Sequence, residues 1–319
     1  MVETLPTLDE IRAARERIRG SIVRTPLVRL NAPSGETIIY LKLENLQPIG
    51  SFKIRGASNA MARLPAEKLR RGVLTASAGN MAQGVAWCAR DLGIPCTVVS
   101  PDTAPETKIA AIERLGARVI KAPFDDWWQT FERRSYPGVD ATFIHAFDDP
   151  DVMAGNGTLA LEILEDLPDA KAIVVPWGGG GLACGIAAGV RAQAPGCRMF
   201  TAEVETGAPF AASYAAGAPQ RIDYRASWVD GIASRNVFPS MFERARRVID
   251  GALVAPLPAV ASALRLMAER NRIIAEGAGA CPVACALAGG AGGGAVVCIV
   301  SGGNIDFGKL SAVLAGAAP

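Results

Sequence analysis

The sequence predicts an α/β protein built on a largely parallel sheet covered on both faces by helices. Short β-branched runs alternate with alanine-rich segments of helical period along most of the 319 residues. Small-residue turns rich in Gly, Ser and Asn follow several of these runs and open the next helix. A strand buried on both faces reads as a continuous apolar stretch, and a sharp turn from strand to helix selects residues without bulk.

Taken in order, strands are expected at TIIYLKLE from Thr37, GVLTAS from Gly72, CTVVSP from Cys96, ARVIKA from Ala117, TFIHAF from Thr142, AIVVPW from Ala172, RMFTAEVE from Arg198 and AVVCIVSG from Ala295. Helices are expected at MAQGVAWCARDLG, APETKIAAIERLG and GLACGIAAGVRAQAP, the first two running into a glycine that stops them. TLDE, Thr7 to Glu10, has the form of a capping box for the first helix. GGAGGGA at 289–295 reads as a turn or loop before the last strand.

Composition removes several functional classes. Thirty-three basic against 31 acidic residues give a formal charge of +2, and no basic run with interleaved aromatics offers a footprint for nucleic acid. The first twenty residues are charged and lack an apolar core, and no other apolar run is free enough of glycine and charge to span a bilayer. A cytoplasmic protein without a membrane partner is expected. The seven cysteines, at 88, 96, 184, 197, 281, 285 and 298, form no CxxC pair and suit reduced, packed thiols. His145 is the only histidine, which argues against histidine-based catalysis or metal binding.

Three turns and one lysine carry the chemistry. In SFKIRGASNA, Lys53 stands between Phe52 and Ile54, and an ordinary solvated lysine is the default for such a position. PWGGGGLACGIAAG follows an expected strand and opens a helix, so its backbone N–H groups and positive helix end could cradle a phosphate. The same residues admit a dinucleotide-binding alternative: Gly178, Gly180 and Ala183 satisfy G-x-G-x-x-A, and Glu203 ends the next strand. TASAGNMAQGVA presents Ser77, Gly79 and Asn80 at a helix start suited to a carboxylate, or merely to capping. VVCIVSGGNID ends its strand in Ser301, Gly302, Gly303 and Asn304.

Together the segments RTPLVRL, LKLENLQPIGSFKIRGA, SAGNMAQGVA, FDDPDVMAGNGTLALEIL, VPWGGGGLACGIA, EGAGACPVA and SGGNID resemble the fold type II enzymes that use pyridoxal 5'-phosphate, in the threonine/serine dehydratase and serine racemase group. The resemblance runs over nearly the whole chain. It implies a tryptophan synthase beta-like fold of two three-layer α/β domains with largely parallel sheets. The large cofactor-binding domain would comprise 1–65 and 146–319, and a small α/β domain, 66–145, would carry the asparagine loop.

By that resemblance Lys53 joins the cofactor as a Schiff base and serves as base, with Phe52 against the pyridine ring. Gly178, Gly179, Gly180, Gly181 and Leu182 hold the phosphate, Asn80 meets the ring hydroxyl, Ser301 meets the pyridine nitrogen and Glu276 lies near the ring. Ser77, Ala78, Gly79, Asn80 and Met81 form the substrate loop. The implied activity is dehydration of a β-hydroxy amino acid to a 2-oxo acid and ammonia; serine racemisation or another fold type II reaction is the alternative, ahead of a dinucleotide-dependent oxidoreductase. A homodimer is expected from the family alone, and allosteric control by a further domain beyond Pro319 is not expected.

Three departures refine these expectations. Ala78 stands where racemases of the family carry a second serine, so the hydroxyl that would work on the opposite face is missing and dehydration is favoured. Met81 replaces the usual histidine by a flexible apolar chain, and Trp127 and Trp128 follow in FDDWWQ, where packing a helix is the ordinary outcome and lining a pocket the alternative. A bulkier β-substituent, as in phenylserine, is therefore left open. Finally, Pro209 replaces an aspartate that binds a divalent cation in some relatives, leaving Glu203 a weak remnant of that site unless Glu205 compensates.

Overall fold

A computed structural model describes residues 4–32, 36–232 and 234–317. Among the described residues, ten strands are interspersed with helices: β1 Leu27–Arg29, β2 Thr37–Leu43, β3 Val73–Ala76, β4 Cys96–Pro101, β5 Arg118–Ala122, β6 Thr142–Phe143, β7 Ala172–Pro176, β8 Arg198–Val204, β9 Gly251–Ala255 and β10 Gly294–Val300. They form a six-stranded sheet in the order β1-β2-β10-β7-β8-β9 and a four-stranded sheet in the order β5-β4-β3-β6. All pairings are parallel except β1 with β2. The expected α/β class with largely parallel sheets is thus observed.

Every expected strand is present, although TFIHAF pairs only at Thr142 and Phe143. The strands β1 and β9 are not among those expected: β1 is only three residues long, β9 is apolar but largely unburied, and each lies at an edge of the six-stranded sheet. An edge strand needs less burial, so its residues announce it weakly. In contrast, β7 is buried at all five positions. Its neighbours β8 and β10 are also buried over most of their lengths.

Helix ends follow local chemistry. Thr7 and Glu10 cap Leu8–Ile18 reciprocally: Glu10 N–H donates to Thr7 Oγ1 at 3.2 Å and Thr7 N–H to Glu10 Oε2 at 2.8 Å. The helix Asn80–Leu92 stops at Gly93, whose φ of +66° lies in the left-handed region that glycine enters without strain. All seven cysteines are buried free thiols. Burial pushes several of them up, Cys184 to about 12, as suits inert packing groups.

Beneath the cleft lies a buried charge network. Arg55, on the first turn of the helix Lys53–Ala62, donates to Glu44 from Nε at 2.7 Å and to Glu162 from Nη1 at 2.7 Å. Lys42 reaches Glu162 at 2.7 Å and the Thr25 carbonyl at 2.6 Å. Burial alone would raise the Glu162 carboxyl, but Arg55 and Lys42 hold it below its ordinary range. Two cations thus neutralise two carboxylates and tie β2, the lysine helix and Pro150–Asp166 together.

Candidate active site

Three strands, one from the four-stranded sheet and two from the six-stranded sheet, deliver their C-terminal ends to one cleft, the place where open α/β sheets assemble sites. Ser77 follows β3, Trp177 and the glycines follow β7, and Ser301 follows β10, and all of these residues line a cavity of about 430 Å³. Lys53 arrives from β2 through a short 3₁₀ turn, Glu44–Leu46. A bridge between Ser51 and Gly302, and a bond from Phe52 N–H to the Ser301 carbonyl at 3.0 Å, fasten it to the end of β10. The cleft therefore contains residues from both sheets.

Lys53 is not a solvated surface lysine. Its ammonium donates to the Ala146 carbonyl at 2.8 Å and lies 5.1 Å from the centroid of the Phe52 ring. Burial lowers its pKa to about 8, against the opposing pull of Glu276. Glu276 is itself pushed up to about 7, by burial first and by Asp230 second, while Asn80, Lys108 and Lys53 pull it back. Asn80 Nδ2 donates to Glu276 Oε1 at 2.8 Å, and Asn304 Nδ2 donates to Asn80 Oδ1 at 2.8 Å. The Asn80 amide is thereby oriented from both sides.

The glycine loop has the form of a cradle. The helix Gly181–Gln193 carries no side-chain cap, and Cys184 N–H makes its first bond back, to the Gly180 carbonyl at 2.9 Å. The N–H groups before Cys184 are thus free of intrahelical partners and carry the positive end of the helix. A side chain would not fit here. A Cβ on Gly179 would lie 2.1 Å from the Phe147 ring, one on Gly181 would lie 2.7 Å from the Phe147 carbonyl, and Gly180, at φ +88°, sits against Trp177. Leu182 closes the loop and also lines the cleft.

The asparagine loop forms the opposite side. Ser77 Oγ accepts from Gly79 N–H at 3.2 Å, and Ala78, Gly79 and Asn80 open onto the cleft as the helix Asn80–Leu92 begins. Met81 lines the cleft but is only 2% exposed, because it packs with Ile54, Ala57 and Val85 in the core beside the four-stranded sheet. Phe52, Glu276 and Ser301 are brought to the same cavity. All sequence-expected site residues except Glu203 meet here.

Glu203 is elsewhere occupied. It is fully buried, and its carboxylate accepts from the N–H groups of Phe210 and Ala211 at 3.0 and 2.7 Å, capping the helix Pro209–Ala216. It therefore meets neither a ribose nor the glycine loop. Glu205 likewise accepts from Leu257 N–H at 3.0 Å. No cluster of three or more His, Cys, Asp or Glu able to hold a metal is present among the described residues.

An aromatic wall was not legible as a unit. Trp127 and Trp128 do both things expected of them as alternatives, packing against Phe131 while lining the cleft. Phe131, Phe147 and Phe238 complete the wall. Trp127, Trp128 and Phe131 share the helix Phe124–Arg133, but Phe147 and Phe238 lie further along the chain, so no local pattern joins the five. His145 is buried behind them with its pKa lowered to about 3, by burial first and then by Arg134.

A buried lysine with a lowered pKa, a glycine amide cradle at a helix start and a polar pair at Asn80 and Glu276 fit a small cofactor carrying both a phosphate and a carbonyl. The chain matches the family described as pyridoxal-phosphate dependent enzyme over residues 18–302. It is 39% identical over 313 residues to an L-threonine ammonia-lyase of Thermotoga maritima, covering 97% of this chain and 78% of that one. Among solved structures, maize serine racemase has a TM-score of 0.87 at 29% identity, with 98% of this chain and 99% of that one covered. The processed form of threonine deaminase isoform 2 from Solanum lycopersicum has a TM-score of 0.86 at 32% identity, with 99% and 92% covered.

Proposed function

The chain belongs to the pyridoxal-phosphate dependent enzyme family, and we propose that its cleft removes water and ammonia from a β-hydroxy amino acid of the threonine/serine type. The observation that carries this is Lys53, an amine shifted toward neutrality and facing the glycine cradle and the asparagine loop across one cavity. Pyridoxal phosphate, when bound, supplies a sink for the electron pair left on the α-carbon. Its phosphate would be held by the N–H groups of Gly178 to Leu182, its ring flanked by Phe52 and approached by Asn80, Glu276 and Ser301.

Residues of the chain then perform the remaining work. The substrate carboxylate is received by Ser77, Asn80 and the intervening N–H groups. Lys53 Nζ takes the α-proton, since burial leaves it enough of the free-base form to act near neutral pH. Cleavage of Cα–H and Cβ–OH releases one water and creates the Cα=Cβ bond. The enamine product gains a proton at Cβ, and one water hydrolyses the resulting imine to a 2-oxo acid and ammonia. The sum is redox-neutral, with one water lost and one consumed. Residues 66–145, as the small domain, would close on the substrate from the asparagine-loop side.

Ammonia and 2-oxo acid release from purified holoenzyme across a panel of β-hydroxy amino acids that includes serine, threonine and phenylserine tests the assignment; absence of both products throughout, with cofactor loaded, overturns it. Ala78 gives the racemase alternative no hydroxyl on the second face. Ala78→Ser is therefore expected to raise racemisation relative to elimination severalfold, read by chiral analysis of residual substrate, and an unchanged ratio counts against the face assignment.

Metal independence belongs to the same proposal. Both Glu203 oxygens are held by helix N–H groups, and Pro209 supplies no ligand. Chelation is expected to change activity less than twofold, and a full loss restored by magnesium would overturn that expectation.

A further inference from the structure

We propose that the aromatic wall makes this cleft selective for β-hydroxy amino acids whose β-carbon bears an aryl ring. This deepens the ammonia-lyase reading and rests on it for the reaction, though not for binding. Five rings form the surface. Phe131 stacks on Phe147 at 5.5 Å and 22°, Trp128 stacks on Phe131 at 6.4 Å and 19°, Phe238 meets Phe147 edge-on at 5.1 Å, and Trp127 meets Phe131 edge-on at 6.0 Å.

Position relative to the lysine makes the wall functional. The carbonyl of Ala146 accepts from Lys53 Nζ at 2.8 Å, and Phe147 is the next residue. The same Phe147 ring lies 2.1 Å from where a Cβ on Gly179 would stand, so it also abuts the phosphate cradle. The wall thus begins between the amine that works at the α-carbon and the loop that would hold the cofactor. A substituent on the β-carbon, one bond further out, is directed toward it. Met81, immediately after Asn80, continues the apolar lining on the other side.

Packing alone does not account for these rings. Phe143 shows what packing requires: it sits against Leu74 and Val99 and does not line the cavity. Trp127, Trp128, Phe147 and Phe238 are partly buried as Phe143 is, but they open onto the cavity. His145 behind them stays uncharged, its Nδ1 accepting from Phe147 and Asp148 N–H at 3.3 and 2.8 Å. The surface presents ring faces and edges backed by an uncharged imidazole, with the Glu132 carboxylate at its rim accepting from Trp128 Nε1 at 2.8 Å. A methyl group would cover little of it, whereas an aryl ring can complete the stacked and edge-on set.

The holoenzyme tests this in two ways. Turnover is measured as kcat/KM for L-serine, L-threonine and threo-phenylserine, with phenylserine expected to exceed threonine by about tenfold or more, the scale on which apolar pockets discriminate. Trp128→Ala is expected to lower the phenylserine value at least tenfold more than the threonine value. Threonine preferred over phenylserine, or equal losses for both in the variant, overturns the proposal.

Binding without reaction is measured by quenching of tryptophan fluorescence with phenylalanine and alanine, neither of which has a β-hydroxyl to lose. Phenylalanine is expected to bind at least tenfold tighter, and equal affinities overturn the wall. If no β-hydroxy amino acid is turned over while phenylalanine still binds tighter, the wall stands and the ammonia-lyase reading falls.

Discussion

Lys53→Ala is expected to lower 2-oxo acid release by about 10³-fold or more and to abolish the borohydride-sensitive visible absorption of the holoprotein. Removal of a positioned general base alone costs roughly 10²–10⁴-fold, and here the same atom would also anchor the cofactor. With a pKa near 8, about a tenth of the Lys53 amine is neutral at pH 7, against well under a thousandth for a lysine at 10.5. That difference comes from burial, which Glu276 only partly offsets. Unfolding is not the expected cause of the loss, because the ammonium makes a single hydrogen bond, to Ala146. A colourless but folded variant, with unchanged far-ultraviolet circular dichroism, is the expected result; retained colour and activity would reject the assignment.

Arg55→Met is expected to destabilise the protein by about 3–5 kcal/mol, the usual consequence of removing one partner from a buried ion pair. Arg55 is fully buried and satisfies Glu44 through Nε and Nη2 and Glu162 through Nη1 and Nη2. Without it Glu162 retains Lys42, while Glu44 retains only the Thr25 hydroxyl and the Gln47 amide. The unpaired Glu44 charge then dominates the loss. Thermal or urea unfolding reads the change, and Glu44→Gln in the same chain should recover part of it by removing that charge. A loss below 1 kcal/mol would mean that water solvates the network and would reject the buried-charge argument.

Much of this architecture was legible locally. Strands such as β7, β8 and β10 are buried on both faces, so their apolar runs stand out from the alternation with helices. The edge strands β1 and β9 did not stand out, for the converse reason. Thr7 and Glu10 were readable because a capping box is a contact across three residues. Glu203 carried two readings, a ribose acid by its place at the end of β8 and, by resemblance to relatives, a weak remnant of a cation site; in the structure the helix beginning at Pro209 brings two N–H groups to its carboxylate. Residue type and strand position could not reveal that occupancy.

By itself the sequence determined the chemistry available: a lysine at a helix start, four consecutive glycines between a strand and a helix, and Ser and Asn at strand ends. Each is a demand for one residue type beside one turn, so short stretches carry it. Only the tertiary structure decided which groups face one another. It placed Trp128, Phe147 and Phe238 on one wall, joined Lys42, Glu44, Arg55 and Glu162 under the lysine helix, and turned Glu203 away from the cleft. The wall and the charge network link residues up to about 120 positions apart in the chain, and such packing leaves no periodic trace along it.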